Sequence, residues 1–191
     1  MSTINVLGIA GSTRANSYST RTLKAVLEAA QKHGAQVRLL ELAKEEIPFY
    51  SHGANVPDKV TRDVSWANAF ILASPDYHGS MSGTLKNFLD FFYEEFAGKA
   101  FGYVVASHEK GLTVMEQMRT AVRQCYGWSL PYGVSINGEQ DFTGGSPVAK
   151  VDQRIKMMAR DLVVYGSLIQ DQFAQDLAGT DSDTFAARYR P

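Results

Sequence analysis

A polar loop near the amino terminus concentrates hydroxyl groups around one guanidinium. Its polar side chains include Ser12, Arg14, Ser17, Ser19 and Thr20. The loop follows a short apolar segment and precedes a helical pattern, so it lies where a helix begins and backbone N–H groups lack partners. An arginine there can bind two phosphate oxygens at once. The loop therefore predicts an anion site of the kind that holds a phosphate monoester.

The simpler alternative is that Ser17 or Ser19 only caps the helix. A cap needs one such residue, whereas this loop offers the hydroxyls of Ser12, Ser17, Ser19 and Thr20 together with an arginine, so phosphate binding is favoured. The loop has no Gly-x-x-x-x-Gly-Lys-Ser/Thr motif, and Gly8 and Gly11 do not fit Gly-x-Gly-x-x-Gly. Hydrolysis of nucleoside triphosphates is thus disfavoured, and FMN, with its single terminal phosphate, suits the loop better than a pyrophosphate cofactor.

A second loop, residues 75–83, follows another apolar segment. Pro75 fixes the direction of the chain as it leaves that segment, and Gly79 lets the backbone approach a flat ring closely. Tyr77 is placed to border or stack on such a ring. The alternative is an ordinary loop before a helix, with Ser82 as the N-cap. Position and composition favour binding of a flavin ring.

The elements around these loops alternate between strands and helices. Apolar segments predict strands over 4–10, 37–42, 69–74, 101–106 and 130–136, the last an edge strand interrupted by Pro131. Helical periodicity predicts helices over 23–33, 58–67, 83–96, 112–125 and 151–165.

This alternation predicts parallel βαβ units with right-handed crossovers. We expect a single α/β domain over residues 1–191 with a doubly wound sheet of about five strands. One common solution for such a sheet is the flavodoxin-like three-layer α/β/α sandwich, whose five-stranded parallel sheet has the order 2-1-3-4-5. Ligands of such sheets lie outside the carboxyl ends of the strands. The loops after strands one, three and four are therefore expected to form the site.

Three motifs carry a resemblance to a known family. They are Gly11-Ser12-x-Arg14-x-x-Ser17, Pro75-x-Tyr77-x-Gly79-Ser80 and Gly83-x-Leu85-Lys86-Asn87-x-x-Asp90. In this order they resemble the NAD(P)H-dependent FMN reductase family, which includes flavin, quinone, azo-dye and chromate reductases. The resemblance implies the flavodoxin-like fold, an FMN cofactor, NADPH or NADH as electron donor, and a homodimer or homotetramer.

The resemblance also implies roles for individual residues. It places the FMN phosphate on Ser12, Arg14, Ser17 and Ser19. It places the flavin ring along Pro75, Asp76, Tyr77, His78 and Gly79, with Ser107 of the third loop beside them. His78 stands where many members carry Asn. Lys86, Asn87 and Asp90 are expected to be structural.

The implied activity is a hydride relay. NADPH or NADH reduces bound FMN, which then reduces a small acceptor such as free flavin, a quinone, an azo compound or a metal oxyanion. The cofactor carries this chemistry, so no catalytic side chain is predicted. One alternative is a non-enzymatic flavodoxin-like electron carrier, which the near-neutral net charge of -1 and the presence of Arg14 disfavour. Another is an interaction module without a cofactor, which the two intact loops disfavour.

Composition excludes several other classes. The pI of about 6.4 lacks the basic character of a nucleic-acid binder. No apolar run approaches a membrane span, and the first residues have no signal-peptide pattern, so a cytoplasmic protein is expected. The four histidines are scattered without metal-ligand spacing, and the single cysteine, Cys125, is expected in the core. Residues 171–191 show little periodicity and are expected to form a carboxy-terminal tail, a candidate for subunit contacts.

Overall fold

The protein is built on a parallel β-sheet. The structure, a computed structural model, describes residues 3–190. The strands are β1 (Asn5–Ala10), β2 (Gln36–Glu41), β3 (Ala69–Pro75), β4 (Ala100–Ala106), β5 (Trp128–Ser129) and β6 (Val134–Ile136). Their order is β2-β1-β3-β4-β5, with β6 also paired to β4, and every pairing in this sheet is parallel. The predicted strand order and three-layer fold are confirmed.

Helices cover both faces of this sheet. They are α1 (Tyr18–Lys32), α2 (Asp58–Trp66), α3 (Gly83–Leu89), α4 (Leu112–Gln124) and α5 (Ala149–Ala178). Side chains alternate along a strand, so Val6 packs in one apolar core with α1 and α5, while its neighbour Leu7 packs in a second core with α2, α3 and α4. The central strands are buried on both faces, which leaves the strand ends and their loops as the accessible part of the sheet.

The fifth strand differs from the prediction of one strand over 130–136. Two short segments, β5 and β6, pair with the two ends of β4, and the chain leaves the ladder between them. Pro131 lies in that gap, where it lacks the N–H that a ladder requires.

The helix predicted over 83–96 is also shorter than expected. The structure ends α3 at Leu89, after which Phe91 and Phe92 donate to carbonyls three residues back. A short 3₁₀ turn, Glu94–Phe96, follows. The helix was predicted from the four-residue spacing of Phe88, Phe92 and Phe96. These rings do contact one another in sequence, with centroids 5.0 Å apart for Phe88 and Phe92 and 5.9 Å apart for Phe92 and Phe96. They do so around a bend that brings Phe96 within 5.1 Å of Phe70.

The carboxy-terminal region is more ordered than the sequence predicts. The tail expected from residue 171 begins as helix, because α5 continues to Ala178. A 3₁₀ turn, Phe185–Tyr189, then folds back, and the Phe185 ring lies 5.2 Å from Tyr126 and 6.0 Å from Phe173. These aromatic contacts attach the segment to its own domain.

The glycine-rich segment before α5 forms a small antiparallel hairpin, β7 (Phe142–Thr143) and β8 (Ser146–Pro147). Its turn residues Gly144 and Gly145 have φ of +57° and +89°, the backbone that a two-residue hairpin turn requires. Within residues 3–190 no helix has both the length and the apolar character needed to cross a membrane.

Candidate functional site

Three loops meet at the carboxyl edge of the sheet, as predicted. The first loop is tied to β3 by Gly11 N, which donates to Ala73 O at 2.8 Å. Asp76 N in the second loop donates to Ala106 O at 2.8 Å, at the end of β4. Ser107 N in the third loop donates to Ile136 O at 2.9 Å, at the end of β6. Each loop is thus anchored to the neighbouring strand end.

The first loop is organised by its serines. Ser17 is the N-cap of α1: its Oγ accepts from Thr20 N at 3.2 Å and donates to Thr20 Oγ1 at 2.8 Å. Ser19 is fully buried, and its Oγ lies 3.2 Å from that of Ser17. Ser12 Oγ accepts from the backbone N–H of Arg14 at 3.2 Å. This bond does not involve the Arg14 side chain, and Arg14 is exposed. The capping alternative therefore holds for Ser17, while Ser12 and Arg14 stay available to a ligand.

A small pocket of about 200 Å³ lies beside this loop. Its lining includes Ser12, Arg14 and Thr20, and it excludes Ser17 and Ser19. Thr20 was counted among the hydroxyls of the loop, but the family resemblance did not assign it to the phosphate. Because Thr20 Oγ1 accepts from Ser17, its own proton is free to be donated into the pocket. The sequence signal was its position three residues after the N-cap, where side chains turn back toward the helix start.

The surroundings of this pocket are positively charged. Arg21, Lys24 and Lys44 also line it, and the single acidic residue of the lining is Glu41. The hydrogen bond from Lys44, at 2.7 Å, holds the pKa of Glu41 below its ordinary value, so this carboxylate stays ionised and paired. Hydroxyl donors with a net positive surrounding fit a phosphate monoester.

The second loop contains a tight turn over residues 77–80. Tyr77 N donates to Ser80 O at 3.0 Å, and Ser80 N donates to Tyr77 O at 3.1 Å. His78 and Gly79 have φ of +56° and +78°, the pair of values that a type I′ turn requires. A Cβ placed on Gly79 would meet no atom within 4 Å, so this side of the turn is open to a flat ligand. Tyr77 is half exposed beside it.

One side chain from α4 supports this turn. Gln117 Nε2 donates to Gly79 O at 3.2 Å, and Gln117 Oε1 accepts from Ser80 Oγ at 2.8 Å and from Met81 N at 3.3 Å. Sequence reasoning missed Gln117, and no motif marks it, because its partners lie more than thirty residues away along the chain.

The third loop is fixed to the second through a carboxylate. Ser107 Oγ donates to Asp76 Oδ2 at 2.7 Å and accepts from Glu109 N at 3.0 Å. Asp76 Oδ1 accepts from Gly79 N at 2.8 Å. Within residues 3–190, the amides of His78, His108 and Lys110 have no hydrogen-bond partner, so they remain as donors for a ligand.

The first and second loops are joined by Ser82. Its Oγ donates to Gly11 O at 2.6 Å and accepts from Leu85 N at 3.2 Å. Ser82 is thus the N-cap of α3, as the alternative interpretation of this loop had it, and it also holds the first loop. A Cβ on Gly11 would lie 2.7 Å from Leu85 Cβ, and only glycine permits this close approach.

The other residues of the third motif have structural contacts. Asn87 donates to Pro48 O and accepts from Tyr50 N, each at 2.8 Å, and Lys86 forms an ion pair with Asp90 at 2.6 Å. Their expected structural role is therefore supported by their contacts.

A groove of about 1420 Å³ opens between the second and third loops and extends to α4, β6 and the start of α5. Its lining at one end includes Asp76, His78, Gly79 and Ser107. Pro75 is the last residue of β3 and directly precedes Asp76. The open turn and the unpaired amides suit the polar edge of an isoalloxazine ring, so the residues present fit FMN.

Two other kinds of site lack support. Burial raises the pKa of the Cys125 thiol, whose Sγ lies 3.8 Å from Phe92 O, so its reactive thiolate form is disfavoured. In the part of the chain that the structure describes, no three histidine, cysteine or acidic side chains come together to hold a metal ion.

Comparisons with known proteins agree with this geometry. A sequence profile of the NADPH-dependent FMN reductase family matches residues 4–141. An NADPH azoreductase of Bacillus sp. strain OY1-2 is 32% identical over 108 residues, which are 52% of this chain and 61% of that protein. An FMN-dependent NADPH-azoreductase of Staphylococcus saprophyticus is 27% identical over 147 residues, which are 70% of this chain and 77% of the relative.

Solved structures show the same fold. An apo NADH:FMN oxidoreductase superposes with a TM-score of 0.72 at 18% identity, over 85% of this chain and 90% of the other. An oxidoreductase from Corynebacterium diphtheriae gives a TM-score of 0.69 at 20% identity, over 88% of this chain and 98% of the other. Since the family profile covers well over half of the sequence, the chain belongs to the NADPH-dependent FMN reductase family.

Proposed function

We propose that the protein is an FMN-dependent oxidoreductase that uses NADPH to reduce a small acceptor. The observation that carries this proposal is the Asp76 carboxylate, which joins two loops at one end of the large groove and so presents a rigid, open edge. The hydroxyl-lined basic pocket at the start of α1 supplies the complementary phosphate site.

In this proposal the first loop binds the FMN phosphate. Ser12, Arg14 and Thr20 face the phosphate, and Ser17 and Ser19 hold the helix start in place behind them. The guanidinium supplies charge and two parallel donors, and the hydroxyls supply further donors.

The second and third loops orient the ring. Asp76, His78 and Gly79 line the groove on one side of the ring, with Pro75 and Tyr77 assigned beside them in the same loop. Ser107 fixes the separation of the two loops. His78 and Lys110 both line the groove, and in this proposal their free amides donate where negative charge develops on the ring. When bound, FMN supplies the chemistry, accepting a hydride from NADPH and passing electrons on. No side chain of the chain need act as an acid or base.

The acceptor class follows from the size of the groove and from the relatives. Because the groove is wide and open, it can admit aromatic acceptors of several shapes. Since two relatives are named azoreductases, we propose azo compounds and related quinones or flavins as acceptors.

We also propose that the protein is a cytoplasmic homodimer or homotetramer. The aromatic side chain of Phe49 is 91% exposed and that of Tyr93 is 51% exposed, which suits contact with a second copy. The single cysteine, Cys125, is free, which suits a reducing compartment. Light scattering coupled to gel filtration would measure the mass of the particle, and a monomer would contradict the assembly.

The deciding experiment is the visible spectrum of the purified protein, recorded without oxygen before and after addition of NADPH. We expect a flavin spectrum that bleaches promptly. A flavin spectrum that persists with both NADPH and NADH would instead indicate an electron carrier. Absence of a flavin band after incubation with FMN would contradict the cofactor assignment.

A further inference from the structure

The large groove continues well beyond the end that suits a flavin ring. Its volume of about 1420 Å³ exceeds the roughly 300–1,000 Å³ that a single small-molecule pocket usually occupies. The groove therefore has room for a second ligand beside the ring. Four basic side chains line it, namely Lys110, Arg119, Lys150 and Arg154.

The lining also has four acidic side chains, Asp76, Glu109, Glu116 and Asp141, so its acidic and basic groups are equal in number. Asp76 accepts from Ser107, and Asp141 Oδ2 accepts from Asn137 N at 2.6 Å. Glu116 lies 3.5 Å from Arg119. Among residues 3–190, by contrast, Lys110 and Lys150 form no ion pair. The ammonium groups of Lys110 and Lys150 are therefore available to an anionic ligand.

Lys150 and Arg154 stand four residues apart on the first turns of α5, so they share one face of the helix. Arg154 Nε donates to Gly133 O at 3.0 Å, and its guanidinium lies 5.0 Å from the centre of the Tyr132 ring. These contacts orient the guanidinium and leave its terminal nitrogens free. A free ammonium beside an oriented guanidinium is suited to a doubly charged phosphate.

We propose that Lys150 and Arg154 bind the 2′-phosphate of NADPH and so select NADPH over NADH. The inference rests on the proposed function, because it assumes that the nicotinamide lies at the Asp76 and Gly79 end of the same groove. The 2′-phosphate is carried on the adenosine half of the dinucleotide, away from the nicotinamide. It is the feature that distinguishes NADPH from NADH, and arginine is the usual residue that accommodates it.

The first test measures phosphate recognition without catalysis. Adenosine 2′,5′-bisphosphate and AMP are titrated into the FMN-loaded protein by calorimetry. We expect the bisphosphate to bind about tenfold more tightly than AMP, as one charge-assisted contact would give. Lys150→Ala and Arg154→Gln should each remove most of this preference. Lys156→Ala is the matched control, because Lys156 lies on the same helix, pairs with Asp152 at 2.6 Å and does not line the groove.

The second test measures donor selectivity. The ratio of kcat/KM for NADPH to that for NADH should fall about tenfold in Lys150→Ala and stay at the wild-type value in Lys156→Ala. Within residues 3–190 Lys150 is exposed and forms no ion pair, so this variant is informative even if Arg154→Gln folds poorly. Equal losses with both donors, or an unchanged ratio, would overturn the inference.

The two proposals fail in different ways. If neither donor reduces the flavin but the bisphosphate still binds through Lys150, the oxidoreductase function is wrong and the phosphate site stands. If the flavin is reduced and the nucleotide titration shows no preference for the bisphosphate, the phosphate site is wrong and the function stands.

Discussion

The Ser107 hydroxyl donates a hydrogen bond to Asp76 Oδ2 at 2.7 Å, although the two residues follow different strands of the sheet. The other oxygen of the same carboxylate accepts from Gly79 N at 2.8 Å. One side chain therefore sets both the shape of the second loop and its separation from the third. A site held in this way needs little ordering when a ligand binds, which lowers the entropic cost of binding.

Replacing Asp76 with Asn should weaken this arrangement. An amide can accept only through its oxygen, so either Gly79 N or Ser107 Oγ would face an NH₂ donor in place of an acceptor. We expect Asp76→Asn to lower stability by about 1–3 kcal/mol and FMN affinity by about tenfold. Urea unfolding and quenching of FMN fluorescence measure the two effects.

Asp90→Asn provides the comparison for Asp76→Asn, because Asp90 pairs with Lys86 at an exposed position. Such exposed pairs contribute about 0–1 kcal/mol. If the two variants bound FMN equally well, Asp76 would have no special part in shaping the site.

A substitution in the first loop should change FMN affinity without a comparable change in turnover. Arg14→Ala removes the exposed guanidinium beside the pocket that Ser12 and Thr20 line. We expect FMN to bind about tenfold or more weakly, since a charge-assisted contact is lost. The rate per flavin-loaded chain should change far less. Flavin content after gel filtration and NADPH oxidation at saturating FMN measure the two quantities.

Arg123→Ala, at an exposed position near the end of α4, is the control for this experiment. Unchanged flavin content in Arg14→Ala would show that the phosphate is bound elsewhere.

Much of this architecture could be predicted because it depends on local patterns. Apolar runs mark buried strands, and helices between them impose parallel connections, so a parallel sheet with three loops meeting at one edge followed from the sequence. The strand order was one common solution for such a sheet, and the family resemblance favoured it. The supporting residues could not be predicted in the same way. Gln117 acts on Gly79 across 38 positions of sequence, and no periodicity encodes a contact of that kind.

The end of α3 and the buried position of Ser19 have a similar explanation. Helical spacing described the aromatic contacts of Phe88 and Phe92 correctly, but a bent chain satisfies the same contacts as a straight helix. Composition identified Ser19 as polar in a polar loop, whereas the packing of α1 against the sheet turned it inward. In both cases local sequence was compatible with two conformations, a straight helix or a bend after Leu89 and an exposed or a buried Ser19, and tertiary packing selected one of them.

Ser82 connects the start of α3 with the first loop, so its removal should affect stability. Ser82→Ala deletes the cap on Leu85 N and leaves the Gly11 carbonyl without its 2.6 Å donor. We expect a loss of about 1–3 kcal/mol in the free energy of unfolding, since both groups are buried. Urea unfolding measures this loss.

Ser65→Ala, at an exposed position of α2, is the control and should change the free energy of unfolding by less than about 0.5 kcal/mol. Equal effects in the two variants would mean that the Ser82 bonds add nothing.

Lys99 precedes β4, at the end of the sheet opposite the site. Burial lowers its pKa from the ordinary 10.5 to about 8, and the nearby Glu95 carboxylate offsets only part of that effect. Its ammonium lies 5.5 Å from the centre of the Phe70 ring. The folded protein therefore binds this proton less tightly than the unfolded chain does, so a charged Lys99 opposes folding.

The sign of the pH dependence follows from these two pKa values. Below pH 8 Lys99 is charged in both the folded and the unfolded state, so the free-energy cost of burying its charge is constant. Between pH 8 and 10.5 only the unfolded chain keeps the proton, so the contribution of Lys99 to the free energy of unfolding rises with pH.

Lys99→Met keeps an apolar stem without the charge and should stabilise the protein by about 2–3 kcal/mol near neutral pH. Urea unfolding of both proteins at about pH 7 and about pH 10 should show that gain shrinking at the higher pH. Lys32→Met, at an exposed position, should show neither the gain nor its pH dependence. A constant gain at both pH values would mean that packing, and not the buried charge, distinguishes methionine from lysine at this position.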